Sequence, residues 1–210
     1  MAMSDWWLFL RAWSGGPRRI GAIAPSGPAL ASLIVSRIDP GDVPVLELGA
    51  GTGVFTQALV DKGIAPRDLM LVECEERFAQ KLRERFPEAQ VLTVDAGHLD
   101  TLPLAGGRQL GAVVSGLPLL TMPSHKVKAI LGSAFRRMRP GGAFYQFTYG
   151  LRSPVPRRLA DRLDLRITRV GKVHMNLPPA TVYRITQHVR VKAPVARAPA
   201  EHEALAQSGD

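Results

Sequence analysis

The feature that most constrains the fold is a regular alternation of short apolar runs with amphipathic helical segments. The apolar runs are Val43–Leu48, Leu69–Val72, Val91–Val94, Leu110–Val114 and Ala143–Thr148. Runs of this length without polar alternation are typical of strands that are buried on both faces. Helical patterns follow several of them, and Ser124 is predicted to cap one that runs to about Met138. The alternation predicts an α/β fold, a parallel sheet with helices on both faces.

The pattern of apolar residues changes after Tyr149. Leu163, Leu165 and Ile167 alternate with polar residues, and the same alternation recurs over residues 183–191. Such alternation predicts two half-buried strands that pair antiparallel at the sheet edge. The complete prediction is a Rossmann-like, seven-stranded and mostly parallel sheet with an antiparallel last strand. In such sheets, ligands bind at the carboxyl ends of the strands.

A glycine-rich turn, Glu47–Gly53, follows the first predicted strand. Glycines permit a tight turn and a close approach to a ligand. Val54 occupies the position of the third glycine of a dinucleotide site, so the spacing disfavours a pyrophosphate. Glu73, at the end of the second strand, can accept hydrogen bonds from vicinal ribose hydroxyls, and Asp95, at the end of the third, can accept one from a purine amine. Together these strand ends predict a nucleoside-containing cofactor.

These residues resemble the class I methyltransferases that use S-adenosylmethionine, over roughly residues 20–190. Glu47–Gly53 looks like motif I, and Glu73 looks like the acid that binds the ribose. Asp95–Ala96 looks like the pair that contacts adenine, and Ser115–Pro118 looks like motif IV. Residues 139–142 look like the turn before strand five.

The resemblance implies that S-adenosylmethionine is the cofactor. It also implies which residues bind it, by their match to the motifs. These are Glu47, Gly49, Ala50, Gly51, Thr52, Gly53, Glu73, Cys74, Asp95, Ala96 and Ser115.

Three segments are more narrowly similar to bacterial phospholipid N-methyltransferases, which convert phosphatidylethanolamine stepwise to phosphatidylcholine. They are residues 21–26, 115–119 and 146–150. Those enzymes are similar to ribosomal RNA adenine dimethyltransferases, which remain the alternative. An adenine methyltransferase needs an aromatic ring for the flipped base, usually after the motif IV proline, where this chain has Leu119. Ser115 also replaces the expected Asn or Asp, and a domain ending near residue 192 leaves no room for a helical RNA-binding domain.

The chain's three tryptophans, Trp6, Trp7 and Trp13, all lie near its start. On a helical wheel they share an apolar arc of about 160° with neighbouring apolar residues. Arg18 and Arg19 follow directly and can meet anionic phosphates. This pattern predicts an amphipathic helix at a membrane interface. A helix packed on the protein's own sheet or in a dimer seam is the alternative.

The chain is therefore divided into three parts. Residues 1–16 are predicted to be the amphipathic membrane-binding helix, residues 17–192 the methyltransferase domain and residues 193–210 a disordered tail. We expect no membrane-spanning helix, because Arg11 interrupts the only candidate run. The single cysteine, Cys74, cannot form an internal disulfide.

Positive charge is concentrated in the second half of the chain. Residues 124–200 contain 16 Lys and Arg and only two acids, Asp161 and Asp164. Such a surface favours an anionic partner, either nucleic acid or the cytoplasmic leaflet of a membrane, although excess charge can also simply maintain solubility. With the resemblance above, we expect a monomer at the inner face of the cytoplasmic membrane. Its expected substrate is an aminophospholipid, and no nucleic-acid partner is expected.

Methyl transfer from a sulfonium is an in-line displacement, which requires a positioned, neutral amine lone pair. Tyr149, beyond the fifth strand, is the leading predicted substrate contact, and the backbone around Ser115 and Leu117 is expected to aim the lone pair. Either a side chain or water takes the amine proton. No metal is expected, since the histidines show no ligand spacing. A catalytically idle lipid-binding module is a further alternative, against which the intact cofactor motif argues.

Overall fold

The computed structural model describes residues 26–101, 107–149, 152–174 and 179–188. The predicted N-terminal helix over residues 1–16 and the predicted tail over residues 193–210 both lie outside these residues. So do Val189 and Val191, which the sequence assigns to the last strand.

The helices and strands alternate as the apolar runs predict. The helices are α1 Ser26–Val35, α2 Val54–Asp61, α3 Glu76–Arg85, α4 Ser124–Arg137 and α5 Arg157–Arg162. The strands are β1 Val45–Leu48, β2 Leu69–Glu73, β3 Gln90–Thr93, β4 Leu110–Ser115, β5 Met138–Tyr149, β6 Leu165–Val173 and β7 Ala180–Gln187. Within the described residues, short 3-10 helices span Pro66–Asp68, Ala96–Thr101 and Leu119–Thr121.

The seven strands form one sheet in the order β3-β2-β1-β4-β5-β7-β6. Strands β1 to β5 pair in parallel, whereas β7 is antiparallel to both of its neighbours. The predicted Rossmann-like topology with an antiparallel last strand is therefore confirmed. Leu48 at the end of β1 lies opposite Val72 and Ser115. This register brings the ends of β1, β2 and β4 to one edge of the sheet.

Hydrophobic layers cover both faces of the sheet. On one face, α1, α2 and α3 contribute Ile34, Leu59 and Leu82 to the core. On the other face, α4 and α5 contribute Ile130 and Leu159. Every residue of β1, β2 and β4 is buried, which explains why their sequences are mostly apolar, with Glu47, Glu73 and Ser115 as the buried polar exceptions. None of the helices in the described part of the chain is both long and apolar enough to cross a membrane.

The start of β5 differs from the prediction. The sequence suggests a turn over residues 139–142, but the strand already begins at Met138, which pairs with Leu110. The next pair in the register is Ala112 with Ala143, so the intervening residues bulge out of the ladder. Gly141 within this bulge has a φ of 83°. The predicted turn is thus a bulge inside β5, closed on both sides by strand pairing.

Two local predictions were wrong by a few residues. Helix α4 begins at Ser124 itself, and the residue in the N-cap position is Pro123, so Ser124 does not cap it. Leu163 was assigned to a strand, but it follows α5, and β6 begins only at Leu165. Between them, Asp164 adopts a φ of 56°, a left-handed turn that apolar alternation does not reveal.

Candidate active site

The glycine turn after β1 has left-handed geometry. Gly49 has a φ of 69°, and Gly53, directly before α2, has a φ of 76°. A Cβ on Gly53 would lie 2.8 Å from the Phe86 ring and 3.0 Å from Leu82. The third glycine therefore allows α2 to begin in close contact with the end of α3. A Cβ on Gly51, by contrast, would meet nothing nearer than 4.0 Å, so this part of the turn is open.

The turn after β1 packs directly against the loop after β4. A Cβ on Gly116 would lie 2.8 Å from the carbonyl oxygen of Gly49, and a Cβ on Gly49 would lie 2.9 Å from Leu117 Cδ2. The Gly116 N–H donates to the carbonyl of Leu48 at 2.8 Å. The backbones of the predicted cofactor turn and of the predicted substrate loop are therefore in direct contact.

Glu73 connects the glycine turn to the end of β2. The residue is only 7% exposed. One oxygen accepts the Gly51 N–H at 2.9 Å, and the other accepts the Glu75 N–H at 2.9 Å. A carboxylate offers about four acceptor positions, so each oxygen can accept a further hydrogen bond from a ligand hydroxyl.

Glu47 is a buried acid with one unused oxygen. The residue is 1% exposed, and its Oε2 accepts a 2.6 Å hydrogen bond from Thr56 Oγ1. Its Oε1 is buried and has no hydrogen-bond partner among the described residues. Burial raises the pKa of Glu47 to about 8, although Thr56 opposes the shift; the charge of Glu73 adds to it. A carboxyl group in this state is suited to a cationic ligand, which would satisfy Oε1 and favour ionisation.

Asp95 is held by two contacts beyond the end of β3. Its Oδ1 accepts the Gly97 N–H at 2.7 Å, and its Oδ2 accepts Lys126 Nζ at 2.6 Å. The hydrogen bond from Lys126 holds the pKa of Asp95 below its ordinary value, so the residue stays ionised. Ala96 is buried beside it. Sequence reasoning did not find Lys126, because nothing in α4 marks which of its basic residues reaches Asp95.

The remaining predicted cofactor residues lie around this edge. The carbonyl of Thr52 accepts a hydrogen bond from Arg85 at 3.1 Å, and the Arg85 guanidinium lies 5.0 Å from the Phe86 ring centroid. Arg85 is a second stabilising residue that the sequence did not indicate. Cys74 follows Glu73, and part of the residue is exposed to solvent. Desolvation of its thiol by the surrounding protein, and then the charge of Glu73, raise the pKa of the thiol, so Cys74 is not an activated thiolate.

Ser115 and Gln146 brace the loop that carries Leu117. Ser115 is buried, and its Oγ accepts the Leu117 N–H at 3.3 Å. Gln146 lies opposite Ser115 in the sheet, and its Nε2 donates to the carbonyls of Leu117 and Phe147, both at 2.9 Å. Since both partners are carbonyls, the amide orientation is chemically determined. The sequence analysis does not single out Gln146. Its polar side chain within the apolar run 143–148 is nevertheless a feature that could have indicated a specific role.

An apolar cavity of about 210 Å³ opens beside these residues. It is lined by residues 116–121 and 147–149, so Leu117 and Tyr149 both face the same cavity. Tyr149 is half-buried, and its ring lies edge-to-face with Phe147 at 5.4 Å between centroids. The predicted substrate contacts are therefore together, whereas Ser115 supports the loop from beneath it.

Comparison with known proteins identifies the family. A family model described as a methyltransferase domain matches residues 45–142. An ornithine lipid N-methyltransferase of Singulisphaera acidiphila is 32% identical over 187 residues, which cover 86% of this chain and 95% of that protein. The chain belongs to the S-adenosylmethionine-dependent methyltransferases. The predicted resemblance is thus confirmed.

Other relatives of this methyltransferase match less of the sequence or only the fold. The ribosomal RNA small subunit methyltransferase A of Salinibacter ruber is 39% identical over 79 residues, 37% of this chain and 26% of that protein. The solved glycopeptide N-methyltransferase MtfA superposes with a TM-score of 0.61 at 15% identity, covering 78% of this chain and 91% of that chain. A TehB-like methyltransferase from Corynebacterium glutamicum gives a TM-score of 0.58 at 13% identity, covering 88% and 97%. These structures share the fold.

The residues of this methyltransferase fit S-adenosylmethionine, the cofactor of its family. The unpartnered Oε1 of Glu47 suits a positively charged group of the cofactor. The open position at Gly51 leaves room for a ligand against the turn. The remaining acceptor capacity of Glu73 suits the ribose hydroxyls. We assign these roles from chemistry and position, and the variants described below test them.

Proposed function

We propose that this methyltransferase methylates the amine of phosphatidylethanolamine and of its mono- and dimethylated products, toward phosphatidylcholine, at a membrane surface. The observation that carries the proposal is the relative named for N-methylation of a lipid, since its similarity extends over 95% of that protein. The ribosomal RNA relative is similar over only 26% of its length. The apolar lining of the cavity beside Tyr149 supports a lipid substrate.

Ornithine lipid is the second candidate substrate, because the relative's name specifies it. Both lipids have a primary amine and acyl chains, so an apolar cavity with a polar contact for the amine could bind either of them. The three segments that resemble phospholipid N-methyltransferases favour phosphatidylethanolamine. Leu119 after the motif IV proline offers no ring for a flipped base, which argues against RNA.

In the proposed mechanism, the protein mainly positions a neutral amine. The cofactor supplies an activated methyl group on sulfur. The backbone of the loop from Ser115 to Leu117, which Gln146 holds in place, aims the lone pair of the amine. Tyr149 also lines this cavity, where its hydroxyl accepts a hydrogen bond from the amine and its ring faces the developing ammonium charge. Water takes the amine proton, since no described side chain that lines this cavity is a carboxylate or an imidazole.

The deciding experiment is transfer of a labelled methyl group to three parallel substrates. These are vesicles containing phosphatidylethanolamine, vesicles containing ornithine lipid, and a structured RNA. We expect label in mono-, di- and trimethylated phosphatidylethanolamine. Label in ornithine lipid alone would replace the substrate and keep the lipid class, whereas label in RNA alone would overturn the lipid proposal.

Replacing Tyr149 with phenylalanine is expected to lower kcat on lipid about tenfold to a hundredfold, because a hydrogen bond to a charged or developing charged group is lost. The affinity for S-adenosylmethionine should stay within twofold of the wild type. Initial-rate kinetics and calorimetry measure the two quantities. Tyr145→Phe is the matched control, since the Tyr145 hydroxyl donates to the Arg37 carbonyl at 2.8 Å, away from the cavity. An unchanged kcat in Tyr149→Phe would remove Tyr149 from the mechanism.

We further propose that the protein is a monomer bound peripherally to the inner face of the cytoplasmic membrane through residues 1–16. Deleting residues 1–14 is expected to reduce co-sedimentation with anionic vesicles at least tenfold, because the tryptophan-rich apolar arc is lost. Cofactor affinity should remain unchanged in the same preparation. Vesicle binding equal to that of the full chain would contradict the anchor.

A further inference from the structure

We propose that the Leu119–Thr121 turn is a second membrane-contacting element, which inserts Leu120 into an anionic phospholipid bilayer at the mouth of the active-site cavity. The lipid substrate would then enter the cavity directly from the bilayer. This inference rests on the proposed function, because it assumes that the substrate is a membrane lipid.

The first observation is the exposure of Leu120. Its side chain is 44% exposed, and it is the only large hydrophobic residue exposed within the described ranges 26–101, 107–149, 152–174 and 179–188. Its neighbour Leu119 is buried. Leu120 is therefore exposed although the residue directly before it is packed in the core.

The second observation is that a hydrogen-bonded turn presents Leu120. The Leu119 N–H donates to the Leu117 carbonyl at 3.0 Å, and the Thr121 N–H donates to the Pro118 carbonyl at 3.0 Å. Thr121 Oγ1 donates to the same Pro118 carbonyl at 3.0 Å. These hydrogen bonds hold Leu120, the tip of the Leu119–Thr121 turn, in one conformation. Inserting the tip into a bilayer would therefore require little additional loss of backbone conformational entropy.

The third observation is the position of this tip. Leu119, Leu120 and Thr121 all line the cavity that also contains Leu117 and Tyr149. The exposed apolar side chain is thus on the rim of the predicted substrate site. A bilayer around Leu120 would place lipid headgroups at the mouth of that cavity while their acyl chains remain in the membrane.

The fourth observation is the charge near this turn. Lys128 is exposed on the second turn of α4, the helix that follows the Leu119–Thr121 turn in the chain. Arg152 is exposed next to the cavity, since its carbonyl accepts a hydrogen bond from the lining residue Thr148. Among the ion pairs of the described residues, none involves Lys128 or Arg152.

The acids that form ion pairs with α4 are paired with other basic residues of that helix. Asp95 is paired with Lys126, and Asp100 is paired with Arg136. An apolar tip flanked by uncompensated cations is complementary to an anionic bilayer, in which the tip reaches the acyl region and the cations meet phosphates.

The test compares two substrate forms with the full-length protein and two variants. Leu120→Asp places a charge on the tip. Gln109→Asp adds the same charge at an exposed position directly before β4, at the opposite edge of the sheet. Each protein is assayed on long-chain phosphatidylethanolamine in anionic vesicles and on a short-chain phosphatidylethanolamine dispersed below its micellar concentration. Co-sedimentation is measured at the vesicle concentration that half-binds the wild type.

We expect Leu120→Asp to lower kcat/KM on vesicles at least tenfold and to reduce co-sedimentation. Its loss of kcat/KM on dispersed lipid should be at least fivefold smaller than its loss on vesicles, and Gln109→Asp should match the wild type in every assay. Equal losses on vesicles and on dispersed lipid would assign Leu120 to the cavity wall and overturn the inference. Unchanged values in Leu120→Asp would also overturn it.

Two other occupants of the tip give distinct results. If a second copy covers Leu120, analytical ultracentrifugation would show a wild-type dimer that Leu120→Asp dissociates, and the inference would be wrong. If residues 1–25 of the chain cover it, Leu120→Asp would bind vesicles more tightly than the wild type, which also overturns it. If the wild type methylates neither lipid form, the proposed function fails. Co-sedimentation then still decides the inference: reduced binding by Leu120→Asp supports it, and unchanged binding overturns it.

Discussion

Replacing Glu73 with alanine is expected to weaken the binding of S-adenosylmethionine about tenfold to 150-fold, the range for lost hydrogen bonds to a charged group of about 1.5 to 3 kcal/mol. Two effects act together. The ribose loses its acceptor, and the Gly51 N–H loses the carboxylate that holds the turn at 2.9 Å. Isothermal titration calorimetry at pH 7 measures the change.

Glu75→Ala is the matched control for this variant. It removes the same charge two residues away, but Glu75 contributes only its backbone N–H to Glu73. We expect its cofactor affinity to stay within twofold of the wild type. A Glu73→Ala protein that remains folded, as judged by its thermal transition, and binds the cofactor normally would remove Glu73 from the site.

Replacing Glu47 with glutamine is expected to remove a large pH dependence of stability. Burial raises the pKa of Glu47 to about 8 in the folded protein, against an ordinary value of 4.5. Between these two values the unfolded chain releases a proton that the folded protein retains, so the folded state loses stability as the pH rises from 4.5 to 8. The loss is on the order of 4 kcal/mol over the whole window. Glutamine cannot ionise, so this part of the pH dependence should vanish.

Urea unfolding at pH 5, 6, 7 and 8 checks this expectation in both proteins. The two proteins differ only at residue 47, so the difference between their stability curves isolates the contribution of Glu47. Asp95, whose pKa is lowered, stabilises the fold above its ordinary pKa and loses that contribution only at lower pH. Parallel stability curves for the two proteins would show that Glu47 is already ionised in the fold.

The Glu47 carboxyl group is also expected to make cofactor binding depend on pH. A positively charged group of S-adenosylmethionine beside Glu47 Oε1 favours the ionised carboxylate. Binding should therefore release a proton from Glu47 and become stronger as the pH rises from 6 to 8. In Glu47→Gln we expect weaker binding without this slope. Calorimetry in buffers of different ionisation enthalpy measures the released proton directly.

Much of the fold could be predicted because its signals are local. Strands buried on both faces need mostly apolar runs, and β1, β2 and β4 are such runs. The bulge in β5 could not be predicted in this way. Residues 139–142 look like a turn in isolation, and only the pairing of Met138 with Leu110 makes them part of the strand.

Local patterns in the chain encode the parallel sheet, the glycine turn and the acids at the strand ends, because strand periodicity and backbone freedom are properties of neighbouring residues. The contacts that hold these parts together depend instead on the packing of distant elements. The Lys126–Asp95 pair, the Gln146 amide on the Leu117 carbonyl and the raised pKa of Glu47 all join or bury groups from different elements. Desolvation and hydrogen-bond geometry depend on which elements pack together. No local sequence pattern indicates how close two residues from different elements will lie in the folded protein.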